Sequence, residues 1–265
     1  MPPLADSADR HDLYQRAVQD VVTEIDFVAD TWAEWRHRPP VLLREDFCGT
    51  ANTACEWVRR DPEHRALGVD LDPEVLAWGR AHNLAALDPD QRRRIELLQG
   101  DVTATRGEAP DIVLAMNFSY YLLMERQALG AYFRSVRDSL AEDGMFFLDA
   151  YGGYEAPMVL QEERDCDGFT YVWDQAAFNP IDSRMECRIH FAFPDGSRLE
   201  DAFRYHWRLW TLPEIRELLA EAGFRRSVVY WEGTDEETGE GDGIYTPSEV
   251  GDADPGWVCY VVAEP

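Results

Sequence analysis

The sequence predicts an α/β protein built on a doubly wound parallel sheet, and three observations carry that prediction. Strand-length apolar runs alternate with stretches of helical period from about residue 40 to residue 150. Punctuation falls between them, as Pro39-Pro40, Pro73 and Asp143-Gly144. The chain has 265 residues, 45% of them hydrophobic, which is ample for one large buried core.

The elements follow in order. From Asp9 to Trp35, Leu13, Ala17, Val18, Val21, Val22, Ile25, Val28 and Trp32 recur at three and four residues, which predicts one or two amphipathic helices. Val41 to Phe47 reads as a short buried strand, followed by the small-residue turn Cys48-Gly49-Thr50-Ala51 and a helix to about Arg60. Arg65 to Asp70 is a second strand, Pro73 opens a helix to about Leu84, and Arg94 to Leu98 is a third strand. Ile112 to Met116 is a fourth strand, Glu125 to Leu140 a helix and Met145 to Asp149 a fifth strand. Right-handed crossovers would place helices on both faces of such a sheet.

After Tyr151-Gly152-Gly153 the character changes. Phe169 to Phe178, Met185 to Phe193 and Leu199 to Leu209 are aromatic and β-prone, with Pro194-Asp195-Gly196 as a hairpin turn, and predict a small antiparallel insertion. Pro213 to Ala222 is a helix capped near Thr211 and stopped by Gly223, and Arg226 to Trp231 and Trp257 to Ala263 are two last strands. Between those strands, Glu232 to Pro255 holds nine acids, no base and five glycines, which predicts a mobile surface loop. The expected organisation is one domain: a helical lid over 1–38, a core over 40–150, the insertion over 151–210 and a closing helix and hairpin over 211–265.

Charge narrows the function. Acids number 51 against 25 bases, all arginine, for a net charge of −26. Such a surface repels phosphate backbones and anionic membranes, and the one tight basic run, Arg92-Arg93-Arg94, reads as a solvated helix end. No apolar stretch approaches the ~20 residues that span a bilayer. The opening residues lack the basic and apolar regions of a secretion signal, which points to the cytoplasm. The five cysteines form no disulfide ladder or zinc spacing; Cys187-x-x-His190 lacks a second half, and no metal is expected.

In an open α/β sheet, ligands bind beyond the carboxyl ends of the strands. Here those ends carry Glu45, Asp70, Asp101 and Asn117-Phe118. A dinucleotide wants a glycine-rich turn so that its pyrophosphate can approach a helix N-terminus, yet Glu45 to Ala51 keeps only Gly49. A nucleoside without phosphate relaxes that demand, and a cationic one favours carboxylates.

These motifs, over about residues 40 to 263, resemble those of the class I S-adenosylmethionine-dependent methyltransferases. The resemblance implies a Rossmann-like seven-stranded sheet closed by an antiparallel hairpin. It implies S-adenosylmethionine as cofactor, held by Arg44, Glu45, Phe47, Cys48, Gly49, Asp70, Leu71, Asp101, Val102, Asn117 and Phe118. Asp70 matches the ribose-binding acid, and Asp101 with Val102 the adenine-binding pair; Phe47 and Ala51 stand where the family loop has its outer glycines. Arg44 could meet the cofactor carboxylate, or pair with Glu45, Asp46 or Asp149 alone. The layout is similar to glycine N-methyltransferase-like relatives, in which a lid tyrosine, here Tyr14, closes on the methionine end; a packing tyrosine is the alternative.

Direct methyl transfer to a small-molecule acceptor, an amine by the acidic and aromatic character of the cap, is the activity implied. Tyr14, Tyr120 and His206 are the candidate catalytic groups, with His206 also open to a structural reading in its aromatic strand. Trp173 and Trp207 either line the acceptor pocket or form the insertion's own core. An RNA or protein methyltransferase, an NAD(P)-dependent oxidoreductase and a non-catalytic nucleoside-binding protein are the competing readings.

Overall fold

The computed structural model describes residues 2–105, 107–235 and 241–265. Three helices open the chain: α1 (Leu4–Ser7), α2 (Arg10–Val18) and α3 (Val21–Trp35). Asp9 caps α2 by accepting from the His11 and Asp12 N–H groups, and Asp20 caps α3 by accepting from Thr23. The break between α2 and α3 therefore sits at a second capping aspartate.

The parallel half follows as β1 (Leu42–Asp46), α4 (Asn52–Arg60), β2 (Arg65–Asp70), α5 (Pro73–His82), α6 (Pro89–Arg93), β3 (Ile95–Gln99), β4 (Ile112–Ala115), α7 (Arg126–Ser139) and β5 (Met145–Gly152). The insertion is β6 (Leu160–Cys166), β7 (Phe169–Asn179), β8 (Arg184–Ala192) and β9 (Arg198–Arg208). The chain closes with α8 (Leu212–Ala222), β10 (Arg226–Thr234), β11 (Gly241–Pro247) and β12 (Trp257–Glu264).

The main sheet has the order β11-β10-β12-β5-β4-β1-β2-β3 among the described residues. Strands β1 to β5 pair in parallel, and β12, β10 and β11 continue antiparallel. Winding runs outward from β1 through β2 to β3 and reverses at β4, so the crevice lies between the carboxyl ends of β1 and β4. Alternate residues feed two cores. Ile112, Leu114, Met145 and Phe147 pack under α3, α4 and α5, while Val113, Ala115, Phe146 and Leu148 pack under α7 and α8. Pro213 and a Thr211–Glu214 capping box start α8, and Gly223 ends it at φ +102°.

Two expectations are corrected. The main sheet has eight strands rather than seven, because part of the acidic 232–255 segment is strand: β10 runs to Thr234 and β11 pairs with it, Trp231 opposite Thr246 and Glu232 opposite Tyr245. Tyr245 holds β11 in place by packing against Phe27 and Tyr260, a tertiary contact that local composition hides. Residues 236–240 of that segment lie outside the described residues. The insertion has four strands rather than three, in the order β6-β7-β8-β9. Strand β6, with the sequence LQEERDC, is an exposed edge, where charge replaces the apolar alternation that would have revealed it.

Helices α1 and α2 dock on the insertion. Leu13 and Ala17 share a core with Phe169, Ile189, Phe191 and Ala202, and the Leu4 and Ala5 N–H groups donate to Asp195 and Ser197. Arg16 donates to the Asp167 carbonyl and Arg164 to that of Ala17.

Candidate active site

The turn after β1 is built without its outer glycines yet keeps a glycine-like backbone. Phe47, Gly49 and Ala51 all sit in the left-handed region, at φ +58°, +52° and +57°. A non-glycine residue there costs about 1–2 kcal/mol, and tertiary contacts hold the turn: Phe47 packs on Tyr132, the Cys48 N–H donates to the Val69 carbonyl, and Ala51 is fully buried. Gly79 lets α5 reach the turn, since a Cβ there would lie 2.5 Å from the Thr50 carbonyl oxygen. Cys48 is buried, and burial pushes its thiol up; it offers the crevice only backbone.

Ala51 cannot cap α4 with its own side chain. Glu45, reaching up from β1, accepts from the Ala54 N–H at 2.9 Å instead, so a protein carboxylate fills the anion-favouring N-terminus of the helix. Burial raises Glu45 well above the usual carboxylate range, with Glu24 of α3 adding to the rise. At the end of β2, Asp70 accepts from the Gly49 N–H at 2.8 Å and the Asp72 N–H at 2.9 Å. Burial raises its carboxyl too, against the pull of those backbone bonds. Leu71 beside it is 67% exposed, an apolar surface at the crevice rim. Asp101 accepts from the Thr103 N–H and hydroxyl and is exposed, while Val102 is buried.

Asn117 and Phe118 follow β4, both in the left-handed region. Asp149 of β5 clamps them: its carboxylate accepts from the Asn117 N–H at 2.7 Å and the Phe118 N–H at 2.8 Å. Burial pushes Asp149 up to about 7 against the pull of those bonds.

Beyond Asn117 opens a cavity of about 390 Å³ between the sheet end, α2 and the insertion. Tyr14, Phe118, Tyr171, Trp173, Tyr205 and Trp207 make its aromatic walls. Tyr205 stacks on Trp207 at 4.5 Å. Gln175, re-aimed by a β-bulge, donates its amide to the Glu155 and Met158 carbonyls, which leaves its oxygen without a described protein donor. Glu155, Glu162 and Glu232 complete the lining, and the residues named for this cavity include no arginine or histidine. These carboxylates were not among the sequence candidates; an isolated glutamate carries no signal until the fold gathers it.

Three candidates fall elsewhere. Arg44 is 3% exposed and pairs internally, its Nε 2.9 Å from Asp46 and its Nη1 donating to Ser139, while the Tyr132 hydroxyl donates to Asp46. It faces α7, because strand alternation puts it on the opposite side from Glu45. Tyr120 is fully buried and donates its hydroxyl to the Asp149 carbonyl at 2.7 Å, so it braces the turn. His206 is exposed on the strand position between Tyr205 and Trp207 and therefore faces away from the cavity. Tyr14 lines the cavity, but burial raises its phenol, so it is a wall and a donor rather than a base.

The fold has close relatives in shape. The chain is similar to an S-adenosylmethionine-dependent methyltransferase from Clostridium acetobutylicum, with 19% identity, 96% of this chain and 97% of that chain covered, and a TM-score of 0.68. It is similar to CalS10, an amino pentose methyltransferase from Micromonospora echinaspora solved with S-adenosylmethionine bound, with 20% identity, 96% of each chain covered and a TM-score of 0.65. It is similar also to the sugar N-methyltransferase KedS8 from a Streptoalloteichus species, with 18% identity, 97% and 94% covered, and a TM-score of 0.62. No protein-family model and no curated protein sequence matches the chain. The protein shares its fold with these methyltransferases.

The crevice suits the cofactor of that fold. Its residues present two carboxyl groups, Glu45 and Asp70, where a cation and a ribose diol would lie. A diphosphate would meet Glu45 at the helix N-terminus it needs.

Proposed function

We propose that the protein is an S-adenosylmethionine-dependent methyltransferase whose acceptor is a small molecule bearing an amine. One observation carries the cofactor reading: Glu45 accepts from the Ala54 N–H at the N-terminus of α4, so a protein carboxyl already takes a helix-end donor that a pyrophosphate would need. That weighs against a nicotinamide-dependent oxidoreductase on the same sheet. Asp70 would hold the ribose, Leu71 and Val102 would border the adenine with Asp101, and Gly49 and Asn117 would flank the methionine end. When bound, the cofactor supplies a methyl group activated on a sulfonium.

The residues of the chain do the rest by position. Asn117 and Phe118, fixed by Asp149, stand where the cofactor crevice meets the cavity. The aromatic walls and the three glutamates favour a protonated amine over an anion. Gln175 offers its fixed amide oxygen to a second donor on the acceptor. Holding such an acceptor in line can supply about 7–11 kcal/mol in favourable cases. The size of the cavity and the acidic surface favour a small molecule over RNA. CalS10 and KedS8, by their descriptions, act on an amino pentose and a sugar, which supports an amine on a polar small molecule as the first class to try.

Titration calorimetry with S-adenosylmethionine and S-adenosylhomocysteine is the first test, and micromolar binding is expected; no binding of either at millimolar concentration rejects the reading. Transfer of labelled methyl to a panel of amino sugars, alkyl amines and matched alcohols is the second. Turnover confined to the alcohols would reject the amine.

A further inference from the structure

Gln175 is held in a single orientation at the wall of the cavity. It lies on β7 opposite Leu160 and Cys187, is 5% exposed, and precedes the point where the register of β7 against β8 shifts. Its side-chain nitrogen donates to the Glu155 carbonyl at 3.1 Å and to the Met158 carbonyl at 2.9 Å, which uses both of its N–H groups. Turning the amide over would set its oxygen against two carbonyl oxygens, so chemistry fixes which atom points where. Oε1 receives no hydrogen bond from the described residues and is not closed off from solvent, so it opens into the cavity that Gln175 lines.

The same amide steadies its neighbours. The turn at 153–158 is tied further by the Glu155 N–H donating to the Pro255 carbonyl at 2.9 Å and the Met158 N–H to the Glu155 carbonyl at 2.8 Å. Glu155 on that turn lines the cavity together with Glu162 of β6 and Glu232 of β10. Gln175 and these three carboxylates therefore meet a ligand with oxygen lone pairs and no N–H.

We infer that the acceptor is an amine that also carries a free hydroxyl and no phosphate or carboxylate, and that Gln175 selects it by accepting from that hydroxyl. The inference rests on the amine-methyltransferase reading and narrows it to hydroxylated, non-anionic amines. A ligand O–H reaching Oε1 satisfies the fixed oxygen, whereas an acceptor without the hydroxyl displaces water from it and leaves it unpaired. A site built in this way rejects the deoxy analogue by that penalty as well as by the lost bond. A phosphate fails for a second reason, because it brings negative charge and acceptor oxygens to groups that are themselves acceptors, three of them charged alike.

The experiment measures methyl transfer from S-adenosylmethionine by the full chain to matched amines, once calorimetry has shown that the cofactor binds. Cyclohexylamine is set against 2-, 3- and 4-aminocyclohexanol, and glucosamine against glucosamine 6-phosphate. The best of the aminocyclohexanols is expected to exceed cyclohexylamine about 10- to 100-fold in kcat/KM, mostly through KM, and glucosamine to exceed its phosphate by at least about tenfold. In Gln175→Met, checked for folding by circular dichroism, the preference for the hydroxyl should shrink to within about twofold while the preference against phosphate persists. A purely structural role for Gln175 would slow both amines alike and leave the ratio standing. The wild-type ratios decide on their own if the variant does not fold. Cyclohexylamine used as well as all three aminocyclohexanols, glucosamine 6-phosphate used as well as glucosamine, or a hydroxyl preference unchanged in Gln175→Met overturns the inference and leaves the amine reading standing. Cofactor binding with turnover of no amine overturns the inference and the amine reading together, and failure to bind the cofactor overturns the methyltransferase reading as well.

Discussion

The two ends of the site are made in opposite ways. At the crevice, Asp70 and Asp149 each accept from two backbone N–H groups, so the turns after β1 and β4 are fixed by the protein itself. At the acceptor end, Glu155 and Glu162 have no described ion-pair partner, and the polar tip of Gln175 is fixed only through its nitrogen. The difference teaches what each end is for. On the proposed reading, a crevice for one invariant cofactor can be rigid, whereas a cavity whose walls come from an inserted sheet can change its acceptor without touching the fold.

Four substitutions sharpen or break this contrast. The largest effect is expected from Arg44→Met, which strands Asp46 in the core. Loss of a buried ion-pair partner costs about 3–5 kcal/mol, read as a shift in the urea midpoint. The residual folded protein should still bind S-adenosylhomocysteine normally; a stable variant that has lost cofactor would return Arg44 to the site. Asp70→Ala comes next. Hydrogen bonds to a charged group are worth about 1.5–3 kcal/mol, so calorimetry should show cofactor affinity down roughly 10- to 100-fold, and the thermal midpoint should fall as well, because the Gly49 and Asp72 N–H groups lose their acceptor. Unchanged affinity would contradict the ribose assignment.

Glu162→Gln probes the other end. An exposed charge contact is worth about 0.2–1 kcal/mol, and steady-state kinetics with an amine acceptor should show KM up by as much as about fivefold while kcat and cofactor affinity stay put. A drop in kcat alone would make Glu162 part of the chemistry and not of acceptor capture. The smallest effect belongs to His206→Ala. The residue faces solvent, so stability should stay within about 0.5 kcal/mol and the pH profile of turnover should not move. Loss of the limb between pH 6 and 7 would restore the histidine as a base.

Much of the fold was legible because its signals are local. The alternation of strands and helices over 40–150, the Pro73 start of α5 and the Thr211 to Gly223 limits of α8 each follow from one residue's backbone preference or one short periodic run. Strands β6 and β11 were not legible. One is an exposed edge whose outer residues answer to water, and the other is held by Tyr245 docking on Phe27 and Tyr260 from distant helix and strand. The site divides along the same line. Glu45, Asp70, Asp101 and Asn117 could be named as candidates because a doubly wound sheet puts strand ends together whatever the details. Arg44 stayed open between the cofactor and an internal pair because only the packing of α7 shows which face of the strand holds partners for it, and there it pairs with Asp46 and Ser139.

By itself the sequence determined the winding of the sheet, the acids at its strand ends and the aromatic richness of the insertion, since these depend on neighbours in the chain. Tertiary structure decided the rest: that Phe47 and Ala51 take the glycine backbone, that Glu45 caps α4, and that Tyr120 braces a turn. Hydrogen bonds and burial between residues far apart in sequence set these features, and no window of the chain contains both partners.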